Sequence, residues 1–115
     1  MAVTINGGKT ERSTPVANTN ADVTLEALPN TIYTIVGILA SYSAVPTGGR
    51  IGVVIGALPG TIAFDLDITQ AGPIQLPFNL TEDLVNTQVT VRLFAGGVGV
   101  IGKLTVAYIE SFIQP

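Results

Sequence analysis

The stretch Thr61–Thr69 constrains the fold of this chain more than any other part of its sequence. Its large apolar residues are Ile62, Phe64, Leu66 and Ile68, and they alternate without a break with polar or small residues. A period of two is typical of a β-strand with one buried face. In an α-helix, Asp65 would lie on the same side as Ile62, which leaves no continuous apolar stripe. The stretch therefore predicts a strand that buries its four apolar side chains and exposes Asp65 and Asp67.

The residues before this stretch predict its hairpin partner, Arg50–Gly56, followed by the loop Ala57–Gly60, whose Pro and Gly suit a turn. Pairing Gly56 with Thr61 sets the register. It forms three apolar cross-strand pairs: Ile55 with Ile62, Val53 with Phe64, and Ile51 with Leu66. The same register predicts an ion pair between Arg50 and Asp67. It also leaves backbone uncovered at the glycines, which either accommodates twist or admits another chain.

Five further strands are predicted from alternation and from the turn residues between them: residues 22–28, 31–43, 74–78, 87–95 and 103–112. The second is apolar on both faces around Gly37, so we expect it to bend there. Pro77 lacks an N–H, which predicts an edge strand at residues 74–78. One helical turn is predicted within Asn79–Asn86, with Thr81 as its cap. Glu110 interrupts the last alternation, where the strand either twists or leaves the sheet.

Six or seven strands with frequent turns and no sustained helical pattern indicate an all-β fold, an antiparallel β-sandwich of jelly-roll type. A closed barrel is the second possibility, but the predicted edge strand favours two open sheets. A length of 115 residues suits one domain. We place that domain at residues 21–115, after an extended N-terminal arm of residues 1–20.

The arm has two interpretations. Residues 1–20 contain few large apolar side chains and cannot form a core element by themselves. A frayed terminus is the common case. The other interpretation is an arm that becomes ordered on a neighbouring subunit, and the candidate partner-binding residues are then Val3, Ile5, Arg12 and Pro15.

The charge content argues against several functions. Only 11% of the residues are charged, against about 25% in an ordinary soluble domain, so part of the surface is expected to contact another protein. The net charge is −3 and the basic residues are scattered singly, which argues against nucleic-acid binding. The longest apolar run, Ile35–Ala40, is far shorter than a membrane-spanning helix. No secretory signal is visible, so we expect folding in a cytoplasm.

The residue types that most enzymes use are missing. His and Cys are absent, which removes the usual base near neutral pH, the triad imidazole and the common zinc sites. An enzyme that uses Asp65 and Asp67 as paired carboxylates is a rival hypothesis. Their regular outward phase is more typical of solvated strand residues, so we expect no catalytic residue, no metal and no cofactor.

Three groups of motifs resemble small structural proteins from tailed-phage and prophage gene clusters. They are Ser41-Tyr-Ser-Ala-Val-Pro-Thr-Gly-Gly49; Phe64-Asp-Leu-Asp-Ile-Thr69 with Ala71-Gly-Pro73; and Asn86-Thr-Gln-Val-Thr-Val91 joined through Ala95-Gly-Gly97 to Gly102-Lys-Leu-Thr-Val106. The resemblance covers about residues 38 to 108 and implies a virion component. It is most like a capsid decoration (cement) protein that is made in the host cytoplasm, lies on the capsid surface, binds the major capsid protein and forms a homo-oligomer, expected to be a trimer. The alternative is a tail-associated carbohydrate- or receptor-binding module that uses Tyr42 and residues 46–50.

Overall fold

The fold consists of two antiparallel β-sheets packed face to face. The computed structural model describes residues 2–5, 8–56, 60–81 and 85–114, and only the backbone of residues 2–5, 78–79, 81 and 114. The strands are β1 (Ala2–Ile5), β2 (Lys9–Ser13), β3 (Ala21–Leu25), β4 (Thr31–Tyr42), β5 (Arg50–Ile55), β6 (Thr61–Asp67), β7 (Ile74–Thr81), β8 (Val89–Leu93) and β9 (Gly102–Gln114). Within those ranges the structure contains no helix that could cross a membrane.

The strand order is that of a jelly roll. One sheet has the order β1-β9-β4-β7, with β2 also on β9, and the other has the order β3-β8-β5-β6. Four antiparallel pairs are nested in the sequence: β5 pairs with β6, β4 with β7, β3 with β8 and β2 with β9. The chain thus folds as one long hairpin wrapped into two sheets. This confirms the predicted antiparallel β-sandwich.

The core lies between the sheets and is built from the inward-facing residues of both. Its largest fully buried apolar side chains are those of Ile35, Ile38, Ile51, Val53, Val89, Val91, Leu93, Leu104 and Val106. Each such side chain contributes roughly 1.5–3 kcal/mol relative to an exposed one. Tyr33 and Tyr108 meet edge to face with ring centroids 5.9 Å apart. The three tyrosines of β4 and β9, Tyr33, Tyr42 and Tyr108, are therefore part of the core.

Strand β4 bends where the sequence predicts it. The register with β9 shifts by one residue between Ile35 and Gly37, so Val36 is the extra residue of a β-bulge. Buried positions change phase across it, from Tyr33 and Ile35 to Ile38. The bulge turns Val36 outward, away from the core, where it is 36% exposed.

The prediction that β6 buries its apolar face is wrong for two of its residues. Strand β6 is the edge of its sheet, and Ile62 and Leu66 are 55% and 37% exposed. The predicted pairing holds as far as Val53 opposite Phe64, but the next residue pairs with Ile62 because Ala63 is bulged. The bulge moves Ile62 to the outer face, and Leu66 is flanked by a strand on one side only, because β6 is the sheet edge.

The edge position predicted from Pro77 is confirmed, since β7 is the last strand of its sheet. The predicted helical turn is wrong at its start, because β7 continues through Asn79 to Thr81, pairing Leu80 and Thr81 with β4. The ladder hydrogen bonds to β4 outweigh a local cap there. Residues 82–84, in the middle of the predicted turn, lie outside the described residues.

The two ends of the chain lie side by side in the five-stranded sheet. Strand β9 continues past Glu110 to Gln114, so the strand does not leave the sheet at that residue. Strands β1 and β2 pair in succession with the edge of β9, with Ile5 opposite Ser111 and Lys9 opposite Tyr108. The described part of the N-terminal segment forms two strands, and their partner in the structure is the chain's own last strand.

Candidate functional site

The outer face of the five-stranded sheet has an uncharged centre. We call this centre the neutral face; its residues are Val36, Leu39, Gln75, Pro77, Thr105 and Ala107. They alternate along their strands with core residues, and Leu39 is 47% exposed. Together with Gly37 and neighbouring backbone they line a shallow cavity of about 270 Å³ next to the bulge. An exposed apolar depression in a sheet centre is a typical contact surface for another protein.

Two cations lie at the margin of the neutral face. Arg12 of β2 is opposite Thr105, and Lys103 of β9 is opposite Ser41, so both share the outer side of the sheet. Both are exposed. Among the described residues no carboxylate lies on this side, because Glu11 and Glu110 pair in register with inward-facing residues. The surface is thus apolar at its centre and basic at its rim.

The outer face of the four-stranded sheet is organised around two salt bridges. We call the row formed by Asp22, Arg92, Phe94, Arg50 and Asp65 the charged face. Arg50 binds Asp65 through two hydrogen bonds of 2.5 and 2.6 Å. Arg92 binds Asp22 in the same bidentate manner at 2.8 and 2.9 Å. Each guanidinium therefore satisfies a carboxylate on a neighbouring strand.

Phe94 lies between the two arginines. The Cζ atoms of Arg50 and Arg92 are 4.8 and 5.8 Å from the centroid of its ring. A Cβ atom added at Gly52 would lie 3.6 Å from the Phe94 ring, so the ring covers the backbone that this glycine leaves bare. The predicted uncovered strip is thus occupied at Gly52 by the chain's own aromatic residue.

The predicted ion pair of Arg50 forms with Asp65 instead of Asp67. Asp67 is the direct cross-strand partner, but Arg50 reaches diagonally to Asp65 on the same face. Strand twist brings such diagonal neighbours within reach of a long side chain. The hydrogen bond to Arg50 lowers the pKa of Asp65, whereas a general acid needs a raised pKa. Both acids are exposed on the edge strand.

A separate depression of about 380 Å³ is lined by Pro46, Gly48, Gly49, Arg50, Asp67, Ile68 and Thr69. Tyr42 does not contribute to it. This tyrosine is buried, and its hydroxyl donates to the carbonyl of Phe94 at 2.7 Å and accepts from the amide N–H of Arg50 at 3.3 Å. Burial raises the pKa of Tyr42. The predicted glycan site thus lacks its aromatic platform.

The structure brings one of the four predicted partner-binding residues to the neutral face. Arg12 lies at its rim, as described above. Val3 and Ile5 belong to β1, and their side chains lie outside the described part of the structure. Pro15 is half-buried in the connection between β2 and β3. The sequence signal for Val36 and Leu39 was the apolar character of β4 on both faces, which predicted the bend but not a surface.

No group of three or more acidic side chains that could hold a metal ion occurs among residues 8–56, 60–77, 80 and 85–113.

No family model matches the chain, and no curated protein matches it significantly. Among solved structures, the chain is similar to a chain in the structure of infectious bursal disease virus, Gx strain, with a TM-score of 0.36 and 14% sequence identity. The alignment covers 92% of this protein and 36% of that viral chain, so the protein spans about a third of its length. At this TM-score the similarity supports no conclusion about function.

Proposed function

We propose that the protein is a non-enzymatic virion component, a capsid decoration protein of the tailed-phage type that attaches to the shell through its neutral face. Its partner in this proposal is the major capsid protein, and it acts at the capsid surface as a symmetric homo-oligomer, most simply a trimer. The motifs that resemble phage structural proteins support the class of protein. The neutral face supports the mode of attachment.

The observation that supports attachment most directly is the exposure of Leu39 and Val36 in the middle of a sheet. A soluble domain usually places polar side chains at such outward positions. Here the exposed centre is apolar, while the bidentate salt bridges lie on the opposite side of the molecule. Burying this centre against a partner removes apolar surface from water at about 25 cal/mol per Å².

The basic rim indicates the chemistry of the partner surface. Arg12 and Lys103 flank the neutral face, and no described carboxylate balances them there. A complementary surface is uncharged at its centre and acidic at its margin. Such rim charges mainly set orientation and association rate. Repeated attachment around a shell makes modest individual contacts sufficient.

Electron microscopy of purified particles with and without the protein tests the proposed location. Particles that contain it should show additional density on the outer shell, which disappears when the protein is omitted and returns when it is added back. Shells of identical appearance in both preparations would contradict a role in capsid decoration.

A matched pair of variants tests the proposed surface. Leu39→Asp should weaken binding to particles by roughly 30-fold or more, because it places an unpaired charge in the centre of the contact. The control is Ile62→Asp, an exposed apolar strand residue on the outer side of the other sheet. It should bind like the wild type. Equal losses in both variants would contradict attachment through the neutral face.

Glycan-array binding by the isolated protein tests the alternative module. Because Tyr42 is buried, binding would have to use the depression around residues 46–50 and Asp67. Specific glycan binding that Asp67→Asn removes, without attachment to shells, would replace the decoration role.

A further inference from the structure

Strand β2 is attached to the sheet almost entirely by its backbone. Its residues Lys9 to Arg12 are exposed and only Ser13 is half-buried. Strand β3, of equal length, has a different pattern, since Ala21, Val23 and Leu25 are all buried. Because β2 buries little apolar surface, it is among the elements that separate from the fold most easily.

Strand β9, which pairs with β2, remains in the sheet when β2 separates from it. Leu104, Val106 and Tyr108 of β9 are buried, and β9 is hydrogen-bonded on its other side to β4 from Thr31 to Tyr42. Separation of β2 therefore leaves a well-formed strand edge with free N–H and C=O groups. Such an edge binds another extended segment.

The edge is specific for the sequence of β2. Lys9 pairs with Glu110 at 2.9 Å across the two strands, in the register that places Lys9 opposite Tyr108 and Ser13 opposite Leu104. A second copy of the chain offers the same segment with the same charge and register. No other partner needs to be assumed.

The connection to β3 allows the segment to reach a neighbouring copy. Residues 14–20 are mostly exposed and include Pro15 and Asn18, the latter at φ 56°. The amide N–H of Asn18 donates to the carbonyl of Val100 at 2.8 Å, so residues 14–17 provide the reach, and fully extended they span about 13–14 Å. Strand β3 stays anchored, because Asp22 binds Arg92 and Ala21 is buried.

We propose that β2 is exchanged between copies of this chain, so that β2 of one copy pairs with the β9 edge of the next. The proposal rests on the oligomeric part of the proposed function and specifies how the oligomer is held. An exchanged strand reproduces every contact of its own sheet, and the exchange closes into a ring if the rotation between copies allows it. Arg12 then reaches the neutral face of the neighbouring copy.

Engineered disulfides in the full-length chain test the exchange, because the protein has no cysteine of its own. Thr10 and Ala107 are direct cross-strand partners, a separation that suits a disulfide. Thr10→Cys and Ala107→Cys chains are refolded together at equal concentration and oxidised. Exchange predicts a disulfide-linked dimer containing one chain of each kind, resolved by mass spectrometry under non-reducing conditions.

The control mixture combines Thr10→Cys with Val98→Cys, a turn position that is 92% exposed and belongs to no strand. Exchange predicts at least about tenfold more mixed dimer from the Thr10/Ala107 mixture than from this control, because paired strands hold the thiols at a high effective concentration. Arg12→Cys with Thr105→Cys repeats the test at a second direct pair, in case one variant folds poorly.

The doubly substituted chain, Thr10→Cys with Ala107→Cys, separates the outcomes. A monomer closed by an internal disulfide, together with mixed dimer at the control level, would overturn the exchange. These measurements use purified protein without particles. A failure of exchange therefore leaves attachment through the neutral face standing, and a failure of particle binding leaves the cross-linking result unaffected.

Discussion

The outer face of the four-stranded sheet carries two bidentate arginine–carboxylate pairs with Phe94 between them. The centre of the other outer face carries Leu39 and Val36 beside a shallow cavity. The first surface satisfies its polar groups within the chain. The second leaves apolar groups without a described cover. This contrast is the basis of our proposal that the neutral face contacts a partner, whereas the charged face contributes to the stability of the fold.

The largest expected difference between the faces is in stability. Phe94→Ala should lower the free energy of unfolding by about 2 kcal/mol, since it removes a half-buried ring that covers Gly52 and contacts two arginines. Leu39→Ala should change it by no more than about 0.5 kcal/mol, because the side chain is exposed. Urea unfolding of both variants measures these values. A greater loss for Leu39→Ala would mean that the neutral face stabilises the isolated fold.

The next effect concerns the hydrogen bonds that the Tyr42 hydroxyl makes between the two sheets. Tyr42 of β4 donates its hydroxyl hydrogen bond to the Phe94 carbonyl and accepts one from the amide of Arg50, both in the other sheet. Tyr42→Phe should cost about 1 kcal/mol, because it leaves these buried backbone groups without a partner and keeps the ring. The same unfolding experiment measures it. Unchanged stability would show that water replaces the hydroxyl.

A smaller effect is expected for one salt bridge of the charged face. A double-mutant cycle on Asp22 and Arg92 should give a coupling energy of about 0.5–1 kcal/mol, since both side chains are partly exposed. A coupling energy near zero would remove the charged face as a source of stability.

Arg12→Ser at the rim of the neutral face should leave stability unchanged but weaken attachment to particles at low salt.

The smallest expected effect is in how the stability of the fold depends on pH. Because Arg50 lowers the pKa of Asp65 in the folded state, the pair contributes stability above the ordinary pKa of aspartate, about 3.9, and loses it as the pH falls through the lowered value. Asp65→Asn should therefore flatten the fall in melting temperature on acidification. Arg50→Gln should flatten it equally, since it removes the cause. A steeper fall in either variant would contradict this assignment.

The sequence predicted the fold class because the alternation in β3, β4 and β9 reflects real burial on one side. It also located the bend at Gly37 and the edge at Pro77, both of which follow from backbone chemistry. It failed at β6, because a bulge and an edge position change exposure without changing the pattern of residues. Strands β1 and β2 were not predicted as strands of this sheet. In β2 the reason is that a strand held mainly by its backbone needs no apolar alternation.

The candidate site was harder to predict than the fold. Apolar residues on both faces of β4 indicated a strand buried on both sides. The sequence does not show whether each face is buried within the chain or by another protein. The partner of Arg50 was misassigned because a flat register neglects twist. Tyr42 could be placed inward from its phase, but its hydrogen bonds to the opposite sheet depend on packing between distant segments.

Chemical labelling of particle-bound protein tests the central contrast most directly. Leu39→Cys and Ile62→Cys each introduce a single thiol into a chain without cysteine, one on each outer face. Attachment through the neutral face predicts that the thiol at position 39 is protected from alkylation on particles, while the thiol at position 62 reacts as it does in free protein. Protection at 62 with free reaction at 39 would contradict the assignment of the contact surface.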